Sequence, residues 1–151
     1  MKELHGAAQA SVDVAIEDCV ALLAAVEDYP SWYPDVVTDV TVVEFGDDGS
    51  PLTAETRLHL SYGPVSRDIE LLLALRVRAP NMVELKHVPR GSSSGASFDA
   101  TWRLAGGTRT SLELELDATM PLPRLVPTGG VGDQFAAGFM QAAVRRLTSG
   151  S

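Results

Sequence analysis

Short blocks of alternating apolar and polar residues fill the sequence between Val36 and Met120, and this pattern restricts the fold more than any other feature. Turn signals divide the region into about six strands. They are Gly46-Asp47-Asp48-Gly49, Gly63-Pro64, Pro80-Asn81, Gly91 to Gly95 and Gly106-Gly107. The intervals are too short for the crossover connections that parallel strands need. The pattern therefore predicts an antiparallel meander.

The ends of the chain supply the other elements. Ala8 to Ala15 has the period of a first strand, and Glu17 to Val26 carries apolar residues at helical spacing. Asp28 to Pro34 contains two prolines four residues apart, which allows only a short second helix or a turn. Thr128 to Leu147 returns to a helical period, with an apolar face that includes Val131, Phe135, Phe139, Ala143 and Leu147.

Together these elements predict one α+β domain over residues 1–151 with a helix-grip fold. We expect a curved antiparallel sheet of about seven strands wrapped around a long C-terminal helix, with two short helices after strand one. Hydrophobic residues make up 45% of the chain, which is enough for a buried core and too much for intrinsic disorder.

The charge pattern argues against several classes of partner. The formal net charge is −8 and no cluster of Lys and Arg is present, so nucleic acid is not an expected partner. No apolar run is long enough to cross a bilayer, and the first residues lack the apolar core of a signal peptide. We therefore expect a cytoplasmic protein without an integral membrane segment; a homodimer is left open.

Metal, cofactor and thiol chemistry have little support in the sequence. The single cysteine, Cys19, excludes an internal disulfide and a multi-cysteine zinc site. Cys19 shares a helical face with Leu22, Leu23 and Val26, so it is predicted to be a core residue. The three histidines are dispersed, no local nucleophile signature such as Gly-x-Ser-x-Gly occurs, and we expect no metal and no cofactor.

The strand alternation assigns side chains to two faces of the sheet. The face covered by the helix is predicted to contain Leu58, Leu60, Tyr62, Ile69, Leu71, Leu73, Leu75, Val77, Val83, Leu85, His87, Phe98, Ala100, Trp102, Leu104, Leu112, Leu114, Leu116 and Ala118. The opposite face collects charged residues, with His59 among them. Tyr62 and His87 are the polar members of the inward set. They are candidates for orienting a ligand, with a solvated strand end as the alternative for His87.

Aromatic residues complete the predicted ligand-binding set. Trp32 and Tyr33 could form a pocket wall or lid, although anchoring of the proline-bounded turn is an equal alternative. The full set consists of Trp32, Tyr33, Tyr62, His87, Phe98, Trp102, Phe135 and Phe139. A mostly apolar pocket with a few convergent polar groups is the usual construction of a small-molecule site.

The segment Glu27-Asp28-Tyr29-Pro30-Ser31-Trp32-Tyr33-Pro34 follows a strand and a short helix. In this order it resembles the START-related (SRPBCC, Bet v 1-like) superfamily of polyketide cyclase/dehydrase and coenzyme-Q-binding proteins. The order of the later elements is also similar, so the resemblance covers essentially the whole chain. It implies a helix-grip fold with a deep cavity for lipids, polyketides, quinones or other apolar ligands between the sheet and the last helix. No catalytic set of that superfamily transfers to this sequence.

Three functional classes follow. A binding or carrier protein needs only the apolar cavity, and this is the favoured interpretation. A polyketide cyclase or dehydratase also needs a positioned acid or base, for which Tyr62 and His87 are the inward-phase candidates. A protein-interaction module of the same fold would instead show an exposed apolar patch.

Overall fold

We describe the fold from a computed structural model, which defines residues 2–47, 49, 51–62, 65–78, 81–88, 97–106, 109–120 and 131–149. The strands are β1 (Lys2–Val12), β2 (Val37–Phe45), β3 (Pro51–Tyr62), β4 (Val65–Arg78), β5 (Met82–His87), β6 (Ser97–Ala105) and β7 (Thr110–Met120). The helices are α1 (Ile16–Ala24), α2 (Tyr29–Trp32) and α3 (Val131–Ser149), with a 3₁₀ turn at Val26–Asp28 between α1 and α2.

All seven strands form one antiparallel sheet in the order β1-β7-β6-β5-β4-β3-β2. This confirms the predicted α+β helix-grip fold, including the short helices after strand one. The β2–β3 connection has Gly49 at a φ of 83°, a left-handed conformation that favours glycine. The turn signals Gly63-Pro64 and Gly91 to Gly95 lie outside the described residues.

The predicted bounds of the first strand were wrong at both ends. It was expected from Ala8 to Ala15, but β1 begins at Lys2 and ends at Val12. The pairing with β7 explains both bounds, because it extends from Lys2 opposite Met120 to Val12 opposite Thr110. Beyond Val12 no β7 residue remains to pair, and Thr110 Oγ1 instead donates a hydrogen bond to the Val14 carbonyl.

The first helix is also shorter than predicted, ending at Ala24 before the 3₁₀ turn. Its apolar face packs into the core as expected, with Cys19, Leu23 and Val26 buried. The prediction that Cys19 is a core residue is confirmed. Burial raises the pKa of the Cys19 thiol, so it stays protonated at neutral pH.

The strand phases agree with the sequence pattern. Almost every described side chain of the predicted inward set is buried, and the charged residues opposite them are exposed or half-buried. Val77 is an exception at 43% exposed, and it lies near the end of β4, one residue before Arg78.

The long helix α3 starts at a close backbone crossing with β1. A Cβ atom added to Gly6 would lie 2.0 Å from the Gly132 carbonyl oxygen, and one added to Gly132 would lie 2.2 Å from the His5 carbonyl oxygen. The Ala7 amide donates a hydrogen bond to Asp133 Oδ1 at 3.2 Å. The predicted helix start at Thr128 lies outside the described residues. No described helix is long and apolar enough to cross a membrane.

Candidate ligand-binding site

Phe139, in the middle of α3, is surrounded by aromatic rings from the α2 segment and from β6. Its ring centroid lies 5.0 Å from that of Tyr33, 5.1 Å from Trp102, 5.6 Å from Tyr29 and 5.7 Å from Trp32. All five side chains are buried. We call these five residues the aromatic cluster. It joins α2, β6 and α3 on the helix-covered side of the sheet.

The local sequence explains how α2 and the residue that follows it contribute three of these rings. Pro30 stands in the first turn of this one-turn helix, where its missing N–H costs nothing. Tyr29 and Trp32 are three residues apart and therefore share a helix face, and their rings are 4.8 Å apart. The Tyr29 hydroxyl donates to the Leu23 carbonyl at the end of α1. Burial raises the pKa of this phenol, so Tyr29 acts as a neutral structural anchor.

A second pair of rings, Phe98 on β6 and Phe135 on α3, extends the aromatic cluster one helical turn toward the start of α3. Their centroids are 5.6 Å apart, and Phe135 also meets the edge of Tyr33 at 6.4 Å. Phe98 is buried, but Phe135 is only partly buried. Phe135 therefore lies on the predicted apolar face of α3 but is only partly covered.

His87 lies in phase with the inward set at the end of β5. Its Cα pairs with that of Leu73, which is buried, and its own side chain is half-buried. The pairing of β5 with β6 ends two residues earlier, at Leu85 opposite Ala100. The His87 amide then donates to Asp99 Oδ1 at 2.9 Å instead of to a strand carbonyl. The two strands separate at this point, which leaves the imidazole at a margin of the inner face.

Tyr62 ends β3, where it pairs with Val65. Its side chain lies outside the described residues, so its role stays a prediction.

Several buried polar atoms have no hydrogen-bond partner among the described residues. They are Nε1 of Trp32 and of Trp102, and Oγ1 of Thr56 and the half-buried Thr53. Thr56 is 3% exposed and pairs with the buried Leu71, so it belongs to the inward set. Sequence reasoning started that set at Leu58 and missed Thr56. The same alternation, continued two residues back, would have found it.

The outer face of the sheet carries the charges. Arg57 pairs with Glu70 at 2.6 Å and His59 Nδ1 lies 2.7 Å from Asp68 Oδ1, which agrees with the outward phase predicted for His59. His5 Nδ1 forms a hydrogen bond with Asp117 Oδ1. Within the described residues, no group of His, Cys, Asp and Glu is arranged to hold a metal ion.

One surface depression reaches Met140, which follows Phe139 on α3. It runs between β1 and α3 and is lined mainly by Ala8, Ala10, Ala137, Met140 and Val144. Others lie on the outer face, for example around Arg57 and Glu70.

Comparison with known proteins extends this description at the level of the fold. No protein-family model matches the chain, and no curated protein matches its sequence. Solved structures do match. A START superfamily protein from Mycobacterium smegmatis superposes with a TM-score of 0.72 at 16% identity, covering 97% of this chain and 99% of that chain. Ginseng major latex-like protein 151 from Panax ginseng gives 0.63 at 12% identity, covering 98% and 97%.

A third similar structure is the Zhui aromatase/cyclase from Streptomyces sp. R1128, with a TM-score of 0.56 at 18% identity. It covers 98% of this chain and 88% of that chain. The chain therefore has the fold of the START-related, Bet v 1-like superfamily, as the Tyr-Pro-x-Trp element indicated. At these identities the likeness concerns the fold, and function has to be argued from the site.

Proposed function

We propose that this protein binds an apolar small molecule, such as a lipid, a quinone or a polyketide-like compound, between the sheet and α3. The proposed lining is the set predicted from the sequence: Trp32, Tyr33, Tyr62, His87, Phe98, Trp102, Phe135 and Phe139. Binding would rest on burial of apolar ligand surface, with His87 and Tyr62 orienting the ligand.

The observation that carries the proposal is the partial exposure of Phe135. This ring meets two buried aromatic side chains, Phe98 and Tyr33, yet it remains accessible. An aromatic side chain that faces a core and stays accessible borders space that another molecule can fill. His87, half-buried where β5 and β6 separate, supplies a polar group on the same inner face.

A thermal-shift screen with fatty acids, quinones and aromatic polyketides tests the proposal. A ligand that binds only the folded state at 100 times its Kd stabilises it by about 2.7 kcal/mol. In a protein of this size, each kcal/mol raises Tm by about 2–4 °C. We expect at least one ligand class to raise Tm by several degrees.

Two phenylalanine variants locate the binding site. Phe135→Ala should reduce the ligand-induced shift, because it removes apolar surface at the proposed site. Phe45→Ala is the matched control, since Phe45 lies on β2 and is 63% exposed. Loss of the ligand-induced shift in Phe45→Ala alone would place the ligand on the outer surface and contradict the proposal. The absence of a Tm shift with every ligand of the panel would also contradict it.

A polyketide cyclase or dehydratase acting on such a ligand is the second candidate, and the position of His87 favours it. A general acid or base typically contributes about 10²–10⁴-fold to a rate. If His87 has this role, turnover of a cyclisable polyketide should fall by that factor in His87→Leu while ligand binding changes little. Binding without turnover in the unmodified protein would leave the carrier function.

Exposed apolar residues favour a third candidate, a protein-interaction module. Val43, Phe45, Leu52 and Val77 are 43–63% exposed on β2, the start of β3 and the end of β4. Exposed apolar groups at one end of a sheet are a typical contact surface for a protein partner, a second copy of this chain included. Indifference to every ligand in the panel, together with self-association that Phe45→Ala abolishes, would support this candidate over ligand binding.

A further inference from the structure

The chain contains only two tryptophans, and both belong to the aromatic cluster. Trp32 is 8% exposed and Trp102 is fully buried. Both indole rings pack against the ring of Phe139, at 5.7 Å and 5.1 Å between centroids. The distance between the two indoles is therefore at most the sum of these two values.

Neither indole N–H has an acceptor among the described residues. A buried tryptophan normally finds a partner for this donor, because an N–H that has left water without a new acceptor destabilises the fold. One unpaired donor can be an isolated imperfection of packing. Two unpaired donors around one ring, contributed by α2 and by β6, indicate that acceptors arrive with another molecule.

The surroundings restrict what the acceptor can be. The described neighbours of the two indoles in the aromatic cluster are Tyr29, Tyr33 and Phe139, and none of these side chains is a cation. A carboxylate buried there would lose its hydration without gaining a cation, which is strongly unfavourable. A neutral oxygen, such as a ketone or quinone carbonyl, accepts an indole hydrogen bond without that cost.

The shape of the cluster favours a flat ligand. Tyr33 stacks with Trp32 at an interplanar angle of 17° and with Phe139 at 16°, and the rings of Trp32 and Phe139 are tilted by 30°. A planar ring system packs against flat aromatic surroundings of this kind with more contact than a flexible alkyl chain and with less loss of conformational entropy.

We propose that the ligand is a rigid ring system with neutral carbonyl oxygens, and that the indole N–H groups of Trp32 and Trp102 donate hydrogen bonds to them. This inference rests on the proposed function and narrows it, because it disfavours fatty acids and favours oxygenated rings. It also assigns the two tryptophans a role in ligand selection besides packing.

NMR spectroscopy of the ¹⁵N-labelled protein tests these hydrogen bonds, because each of the two tryptophans should give one indole N–H resonance. Fluorenone and fluorene serve as matched probes, because they share a planar ring skeleton and differ by one carbonyl. We expect fluorenone to shift the resonance of at least one indole proton to lower field, because a new hydrogen bond has this effect. Fluorene should not cause this shift. Fluorenone should also bind about 2- to 10-fold more tightly, the range for one neutral hydrogen bond.

Single Trp32→Phe and Trp102→Phe variants assign the two resonances. The variant that lacks the tryptophan that binds the carbonyl should also bind fluorenone and fluorene equally well. Because Trp102→Phe alters a fully buried site and can impair folding, replacement of each tryptophan by benzothienylalanine, which has sulfur in place of the N–H, provides a near-isosteric second variant. Equal binding of the two probes with both indole resonances unmoved would overturn this inference and leave the proposed function intact. Failure of both probes and of the whole ligand panel would overturn both.

Discussion

Phe139 and Phe135 are four residues apart on α3 but have different surroundings. Phe139 is 2% exposed and contacts four aromatic rings, whereas Phe135 is only partly buried. We expect Phe139→Ala to lower the free energy of unfolding by about 3–5 kcal/mol, the usual cost of such a cavity. Phe135→Ala should cost clearly less. Denaturant unfolding of both variants checks this, and equal losses would show that Phe135 is packed as tightly as Phe139.

His87 is the histidine of the predicted lining, and its side chain is half-buried. His87→Leu should preserve the fold, because it replaces a half-buried polar group at a strand end without leaving a large void. If His87 orients a ligand, affinity should fall by about 0.5–1.5 kcal/mol. His59→Leu is the control, since His59 lies on the outer face beside Asp68. Calorimetric titration of both variants with a ligand found in the screen measures the effect; equal affinities in all three proteins would exclude this role.

At the scale of elements, the crossing of α3 over β1 depends on two glycines. Gly6→Ala and Gly132→Ala each place a methyl group within 2.0–2.2 Å of a backbone oxygen, which the backbone can accommodate only by moving. We expect each variant to lose at least about 1–3 kcal/mol of stability, the usual cost of overpacking. Gly106→Ala is the control, because its added Cβ would meet only Ile16 side-chain atoms at 3.8 Å or more. Thermal unfolding of the three variants checks this, and a normal Tm for Gly6→Ala would contradict the close crossing.

At the scale of the whole molecule, the exposed pair of His5 and Asp117 links stability to pH. The hydrogen bond and charge of Asp117 raise the pKa of His5 above 6.5, and Glu115 and Asp133 add to this in the same direction. A raised pKa means that the folded state binds the proton more tightly than the unfolded chain. The stabilisation is fully present below pH 6.5 and is lost as the pH rises through the folded-state pKa.

His5→Gln tests this link between pH and stability. The difference in Tm between the unmodified protein and His5→Gln should be largest in mildly acidic solution and shrink toward alkaline pH. Both partners are exposed, so salt should weaken the effect. A constant difference across the pH range would show that His5 does not contribute by ionisation.

The sequence by itself determined the strand phases, the meander and the apolar face of α3. These follow from local geometry, since successive side chains of a strand point to opposite faces and a helix repeats every 3.6 residues. Periodicity alone therefore suffices to assign Leu58, Trp102 and Phe139 to the core. The Tyr-Pro-x-Trp segment added the fold family, and extension of the alternation would have added Thr56.

Only the tertiary structure decided where elements end and which buried groups lack partners. β1 begins at Lys2 because β7 is long enough to pair with it, and no local signal near Lys2 encodes that length. Phe135 remains partly exposed, and the indoles of Trp32 and Trp102 remain without acceptors among the described residues, because of what α2, β6 and α3 bring to the same place. Burial and hydrogen bonding depend on neighbours from distant parts of the chain, so periodicity can assign a side chain to a face but cannot show what it meets there.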